Sequence, residues 1–286
     1  MKRNTYVRII CIMMLCILFF VGCTTYSEEV YKVNESFSSI EINDTEAGIM
    51  ITASSDGKCR VVVDERSNGS VCHTVKVFDE VLKVDRCTKG LDWIIGGSFK
   101  ELLVEVQVPV KDYKNLSASS VSGRIKVGNG LSFGSVNLNS TSGSVTFSAK
   151  ARNEIVASTT SGFVTVKTDS SLNKVDCKSR SGRVAVRDVK AKTVNVKNTS
   201  GSIVLDSVIA SDSITLHSTT GSIRLERCDG GDINIESTSG SVKGSLLSNK
   251  IFKASSYSGR VNVPSSFGTN ICYVNTTSGS IVMSIV

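Results

Sequence analysis

The chain has 286 residues, of which 40% are hydrophobic and 6% aromatic, with only two prolines; this fits long uniform strands better than a mixed globular enzyme. Its 33 lysines and arginines exceed its 26 acids, for a formal charge of +7. The charges are interspersed along the sequence, as on a solvated surface, and do not form a nucleic-acid footprint.

Lys2, Arg3 and Arg8 precede an apolar run from Ile9 to Val21 that is short for a membrane span and suits a secretory signal. Phe20-Val21-Gly22-Cys23 resembles the bacterial lipobox, with Phe20 in place of the usual leucine. Residues 1–22 therefore read as a lipoprotein signal peptide and Cys23 as the lipidated mature N-terminus. An uncleaved anchor helix is the alternative, and both place the body of the protein outside the cytoplasm. Cleavage would leave 30 cations and 26 acids, a balance of +4. The lipobox implies a diacylglycerol on Cys23, and two acyl chains hold a protein stably on a membrane where one does not. Residues 23–36 are polar and read as a tether.

Residues 37–115 read as an N-terminal β region or cap. Ile40 and Ile42, Ile49 and Ile51, and Val61 and Val63 alternate with polar residues, with turn signals at Asn43-Asp44, Ser54-Ser55-Asp56-Gly57 and Ser67-Asn68-Gly69. Ile40 to Val61 suggests a degenerate first coil. A hairpin follows, from Val71 to Val77 and from Val81 to Arg86, turning at Asp79-Glu80. That turn sets Cys72 opposite Cys87, and a disulfide or two free thiols are both open readings. Trp93-Ile94-Ile95 reads as core or as a plug on the end. Leu102 to Val110 alternates strictly, with Pro109 on the opposite parity suggesting an edge or end position.

From Leu116 a dipeptide recurs: Ser122-Gly123, Ser142-Gly143, Ser161-Gly162, Ser181-Gly182, Ser200-Gly201, Thr220-Gly221, Ser239-Gly240, Ser258-Gly259 and Ser278-Gly279, at steps of 19 or 20 residues. Counted from each glycine, positions −7, −5, +2 and +4 are apolar, as in Val136, Leu138, Val145 and Phe147. Two short strands per repeat leave no room for a helix crossover. The pattern predicts an all-β chain: a parallel β-solenoid of about nine 19–20-residue coils over residues 116–286, with the right hand that parallel crossovers prefer and an N-terminal β cap. The glycine is expected to supply the backbone angles of a corner. Positions −3 and −1, always Ser, Thr or Asn, share the inward parity and are expected to stack as buried hydroxyls. A third corner is expected to be closed by Phe133, Leu172, Val189, Val208, Cys228, Leu247 or Phe267.

Catalytic chemistry is hard to place on this pattern. The acids Asp169, Asp176, Asp188, Asp206, Asp212, Asp229 and Asp232 occupy different columns, so no paired-carboxylate site is expected. Glu226, Asp229 and Asp232 form the densest acidic group and read as a solvated turn. His73 and His217 have no triad setting, and no CxxC occurs, so no metal and no cofactor is expected. The outward −2 column, mostly threonine but interrupted by Arg180 and Tyr257, could serve a repetitive ligand or simply suit strands.

The Ile40–Ile42 strand, the hairpin, the Val104–Pro109 strand and the repeats from Ser122 to Met283 together resemble domain-of-unknown-function family 4097, bacterial exported Ser-Gly β-strand repeat proteins provisionally named as adhesins. The resemblance spans nearly the whole mature chain and implies a fold and an exported location; it carries no catalytic residues. The sequence thus points to a non-enzymatic, lipid-anchored extracytoplasmic module serving as adhesin, envelope scaffold or sensor. Its expected partners are the membrane through Cys23 and an envelope polysaccharide or protein, with no nucleic acid. The alternatives are a carbohydrate-active β-helix lyase or hydrolase, or a solenoid that self-associates end to end through an uncapped final strand, Ser280 to Val286.

Overall fold

A computed structural model describes residues 26–66, 71–88 and 102–286, and all regular structure among them is β. The N-terminal strands are β1 (Tyr26–Val33), β2 (Ser39–Asn43), β3 (Gly48–Ala53), β4 (Cys59–Arg66), β5 (Val71–Phe78), β6 (Val81–Thr88) and β7 (Leu103–Val108). The middle of the chain forms β8 (Asp112–Ser120), β9 (Ile125–Val127), β10 (Ser132–Ser140), β11 (Val145–Phe147), β12 (Lys150–Thr159), β13 (Val164–Lys167) and β14 (Ser171–Ser179). Three long strands follow, β15 (Val184–Asn198), β16 (Ile203–Ser218) and β17 (Ile223–Ser237). The last are β18 (Val242–Leu246), β19 (Ile251–Ser256), β20 (Val261–Asn262), β21 (Ile271–Thr276) and β22 (Ile281–Ile285).

These strands build the parallel β-solenoid that the repeat predicts. The first wall stacks β6, β2, β8, β10, β12 and β14, then the C-terminal halves of β15, β16 and β17, then β21 and β19. The second wall stacks β7, β3, β9, β11 and β13, then the N-terminal halves of β15 to β17, then β18, β22 and β20. Register keeps like above like: Val136 lies between Leu116 and Ile155, and Leu138 between Ala118 and Ala157. The aliphatic columns are buried between the walls, each side chain contributing about 1.5–3 kcal/mol relative to exposure.

The Ser-Gly corner has a different cause from the one its glycine suggests. Positive φ among described glycines occurs at Gly57, Gly130 and Gly268, none of them in the series. Space is what excludes a side chain. A Cβ on Gly143 would lie 1.9 Å from the Gly123 carbonyl oxygen, and one on Gly162 would lie 2.1 Å from that of Gly143. Beside this glycine column runs the −3 column, which relays hydrogen bonds. The Gly143 N–H donates to Ser140 Oγ at 2.9 Å, and Ser140 Oγ donates to the Gly123 carbonyl of the preceding rung at 2.9 Å. Ser179 repeats the relay between Gly182 and Gly162, and Asn198 does so with its amide between Gly201 and Gly182. The −1 residues, by contrast, are exposed from Ser122 to Ser278. The turn begins at −2, one residue earlier than strand parity implies, so only one of the two hydroxyl columns is buried.

Both ends depart from simple winding. Residues 26–33, read as tether, form β1 and pair antiparallel with β4, because Tyr31 and Val33 pack against the core. β2 and β3 make the degenerate first rung, but β4 then leaves the helical path and pairs antiparallel with β7. The outer rung at this end is β6 with β7, and β5 covers the edge of β6. At the C-terminal end the final strand is not the edge: β22 lies between β18 and β20, and β21 between β17 and β19. The open rung is therefore 251–262, where Phe252 and Ala254 are only partly buried and Tyr257 is exposed. The third corner is closed by Phe133, Leu172, Val189, Val208 and Cys228, but Leu247 and Phe267 face solvent and Leu246 turns inward instead. Near the other end Phe37, Tyr113 and Phe133 stack, with centroids 5.8 and 5.6 Å apart. Cys23 and Trp93-Ile94-Ile95 lie outside the described residues.

Candidate functional site

A buried ionic cluster caps the N-terminal end of the serine column. Counted from Ala47, residues Ile40, Ile42, Ile49 and Ile51 take the −7, −5, +2 and +4 positions, so Ala47 stands for the glycine and Asp44 for the serine. The Ala47 N–H donates to Asp44 Oδ1 at 2.6 Å, as Gly143 does to Ser140, and the Glu46 N–H joins it at 2.7 Å. Among the described residues no glycine carbonyl lies beyond this rung. The hairpin instead supplies donors: His73 Nε2 lies 2.9 Å from Asp44 Oδ2, and Arg86 Nη1 donates to Oδ1 at 3.3 Å. Arg86 also pairs with Glu46 at 3.0 Å. Burial alone would raise the Asp44 carboxyl, but the bonds from His73, Ala47 and Glu46 and the Arg86 charge hold it below the usual carboxylate value. An Asp–His pair can serve acid–base chemistry, yet both side chains are only 1% exposed and their bonds complete a structural ladder. Sequence reading dismissed His73; counting from Ala47 would have placed Asp44 in the column that needs a donor.

The hairpin turns through left-handed Asp79 and Glu80 and sets Cys72 directly opposite Cys87, and the two sulfur atoms are bonded. Cys59, Cys177, Cys228 and Cys272 are free and buried. Burial pushes their thiols up to about 11, 12, 11 and 12 respectively, leaving too little thiolate for nucleophilic chemistry.

The acidic group at residues 226–232 is divided among separate structural contacts. Glu226 pairs with Arg224, and Asp232 Oδ1 accepts the Ile271 N–H at 3.0 Å. Asp229 Oδ1 receives Lys250 Nζ at 2.8 Å. Lys250 is almost fully buried in an inward column behind Ala210 and Gly230, and its ammonium also donates to the Gly230 carbonyl and to Ser248. His217 is half-exposed beside Glu236 at 3.6 Å.

What the fold does assemble is a charged face. On the outer side of the second wall, columns +1, +3 and +5 of the nine rungs bring together Arg124, Lys126, Lys167, Arg183, Arg187, Arg224, Lys243 and Arg260, against only Asp206 and Glu226. On the outer side of the first wall, columns −8, −6 and −4 carry Lys174, Lys178, Lys197 and Lys253, balanced by Glu154, Asp176, Asp232 and Glu236. Charges that look interspersed along the chain are thus sorted by wall, with eight cations to two acids on one and four to four on the other. Midway along the basic wall a groove of about 500 Å³ is lined by Phe163, Thr165, Ser181, Arg183, Ala185, Arg187, Gly201 and Ser202. Phe163 is 60% exposed, and Arg183 Nε donates to Ser202 Oγ at 3.3 Å.

Comparison with known proteins agrees with this architecture. No curated protein sequence matches the chain. Among solved structures, a candidate adhesin from Bacteroides fragilis aligns over 92% of this chain and 97% of its own, at 16% identity and a TM-score of 0.50. A candidate adhesin from Parabacteroides distasonis aligns over 93% and 98%, at 18% identity and a TM-score of 0.51. At these identities the likeness is one of fold. The Toastrack DUF4097 sequence profile matches residues 37–229 and 148–285, which between them span the solenoid and its cap. The chain belongs to the Toastrack DUF4097 family.

Proposed function

We propose that this protein is a non-enzymatic binding module of the bacterial cell envelope, exported by residues 1–22, held on a membrane through Cys23 and presenting its second wall to a ligand. The observation that carries this reading is the sorting of charge: one wall is basic and the other balanced, on a scaffold whose backbone hydrogen bonds hold both walls fixed. A rigid repetitive surface suits binding an extended partner, because little order has to be imposed on association. The names of the two similar structures, both candidate adhesins, support the same role. The non-enzymatic part rests on the placement of Asp44, His73, Glu226, Asp229 and Asp232, each engaged in a structural contact, and of His217 on the surface beside Glu236.

The test is retention of the purified lipidated protein on envelope fractions of its own cells, read beside release of reducing ends or unsaturated sugars. Retention without depolymerisation is expected. Turnover of an envelope polysaccharide would replace this reading with a carbohydrate-active enzyme. In cells, Cys23→Ala is expected to move the protein from the membrane to the soluble fraction.

A further inference from the structure

We infer that the groove beside Phe163 binds an acidic polysaccharide, stacking a pyranose ring on Phe163 and taking that ring's carboxylate on Arg183. This rests on the reading of the protein as an envelope-binding module and names its ligand class.

Phe163 and Arg183 share the +1 column on neighbouring rungs, as the pairing of Val164 with Val184 requires. Neighbouring rungs lie about 4.8 Å apart, so a ring lying on Phe163 brings a carboxylate at its edge to the guanidinium. Among the described residues Ser202 holds Arg183 through Nε and no contact engages its terminal nitrogens, leaving them for a bidentate carboxylate. Across the groove Arg187 makes no ion pair among the described residues, since Asp206 is taken by Arg227 and Asp188 by Lys167. The floor between the banks is Thr165 and Ala185, small enough for a ring to approach the backbone, with Ser181 supplying a hydroxyl. The floor column runs on along the axis through Thr146 and Val204, so a linear chain can follow it from rung to rung. The rung spacing is close to the length of one sugar unit.

Other polyanions fit less well. A nucleic-acid strand needs successive aromatic platforms, and Phe163 is the one aromatic residue in columns +1, +3 and +5. A membrane-binding face combines its cations with a band of large apolar residues that insert, and here the floor is threonine and alanine. A polyphosphate brings charge but no ring for Phe163.

The experiment is calorimetric titration of the mature protein with polygalacturonate at low salt. Its arms are fully methyl-esterified polygalacturonate, poly(dT), and vesicles containing phosphatidylglycerol. Binding to polygalacturonate is expected, with a loss of tenfold or more on methyl esterification, in Phe163→Ala and in Arg183→Gln. Lys178→Gln on the opposite wall is expected to stay within twofold, and unchanged thermal melting shows that the variants are folded. Failure of the wild type to bind polygalacturonate overturns the assignment. So does equal binding to poly(dT) or vesicles, or binding indifferent to Phe163→Ala, each of which marks generic charge attraction. Retention on envelope fractions together with no binding to polygalacturonate leaves the general role standing and removes this ligand.

Discussion

Gly143 stacks on Gly123 so closely that a Cβ on the one would sit 1.9 Å from the carbonyl oxygen of the other. Nothing flexible lines that contact, since the opposing atoms are backbone held in a parallel ladder. Gly143→Ala is therefore expected to push two rungs apart and cost about 3 kcal/mol or more. Gly128→Ala is the control: its nearest neighbours would be at 3.4 and 3.8 Å, and it should cost well under 1 kcal/mol. Urea unfolding of the pair measures both.

Ser140 and Ser142 are two residues apart in the same motif with opposite environments. Ser140 is buried and bonded to both Gly143 and Gly123, whereas Ser142 is exposed. Ser140→Val strands a buried donor and a buried acceptor, each worth about 1–3 kcal/mol. Ser142→Val should fall within about 0.5 kcal/mol of wild type. Equal effects at the two sites, in the same unfolding assay, would return the −1 column to the interior.

The Asp44 cap gives the fold an acid limit. With its carboxyl held below the usual value, Asp44 contributes stability that is complete above the unfolded carboxylate value of about 3.9 and is lost as pH falls through the lower folded value. Urea midpoints should hold near neutral pH and fall below about pH 4. Asp44→Ala leaves His73 buried without its hydrogen-bond acceptor and Arg86 with Glu46 alone, and should lose about 3–5 kcal/mol at neutral pH with a shallower acid limb.

The thiols separate into two chemical classes. In the native protein at mildly alkaline pH, Cys59, Cys177, Cys228 and Cys272 should resist iodoacetamide, because burial places their thiols at about 11 to 12. Denaturation should expose all four to alkylation. Cys72 and Cys87 should react only after reduction, and their alkylation without it, seen by mass spectrometry, would contradict the bridge.

The repeat was legible because the stacking that forbids a Cβ fixes glycine in each of the nine rungs from Gly123 to Gly279, and the walls were legible because buried strands alternate with period two. Four features escaped. The corner starts at −2, so extending strand parity to Ser142 and its equivalents fails where the backbone has already turned. The order of the last rungs is set by pairing between distant segments: Phe252 with Ala254 and Cys272 with Val274 carry the same apolar pattern, and either pair could follow β17. The charged wall was hidden because Arg183 and Arg187 are separated along the chain from Lys126, Lys167 and Lys243. Summing columns +1, +3 and +5 would have revealed it. Asp44 was read as a turn residue, since its column partner is Ala47 and not glycine.

The central claim, that function resides on the second wall, is tested most directly by comparing two multiple variants for retention on envelope fractions. One replaces Lys167, Arg183, Arg187 and Lys243 with glutamine, and the other replaces Lys174, Lys178, Lys197 and Lys253. Each removes four cations, so the net charge of the two proteins is the same. The account predicts that the first loses retention at least tenfold while the second stays within twofold of wild type; equal losses, or loss only in the second, would contradict it.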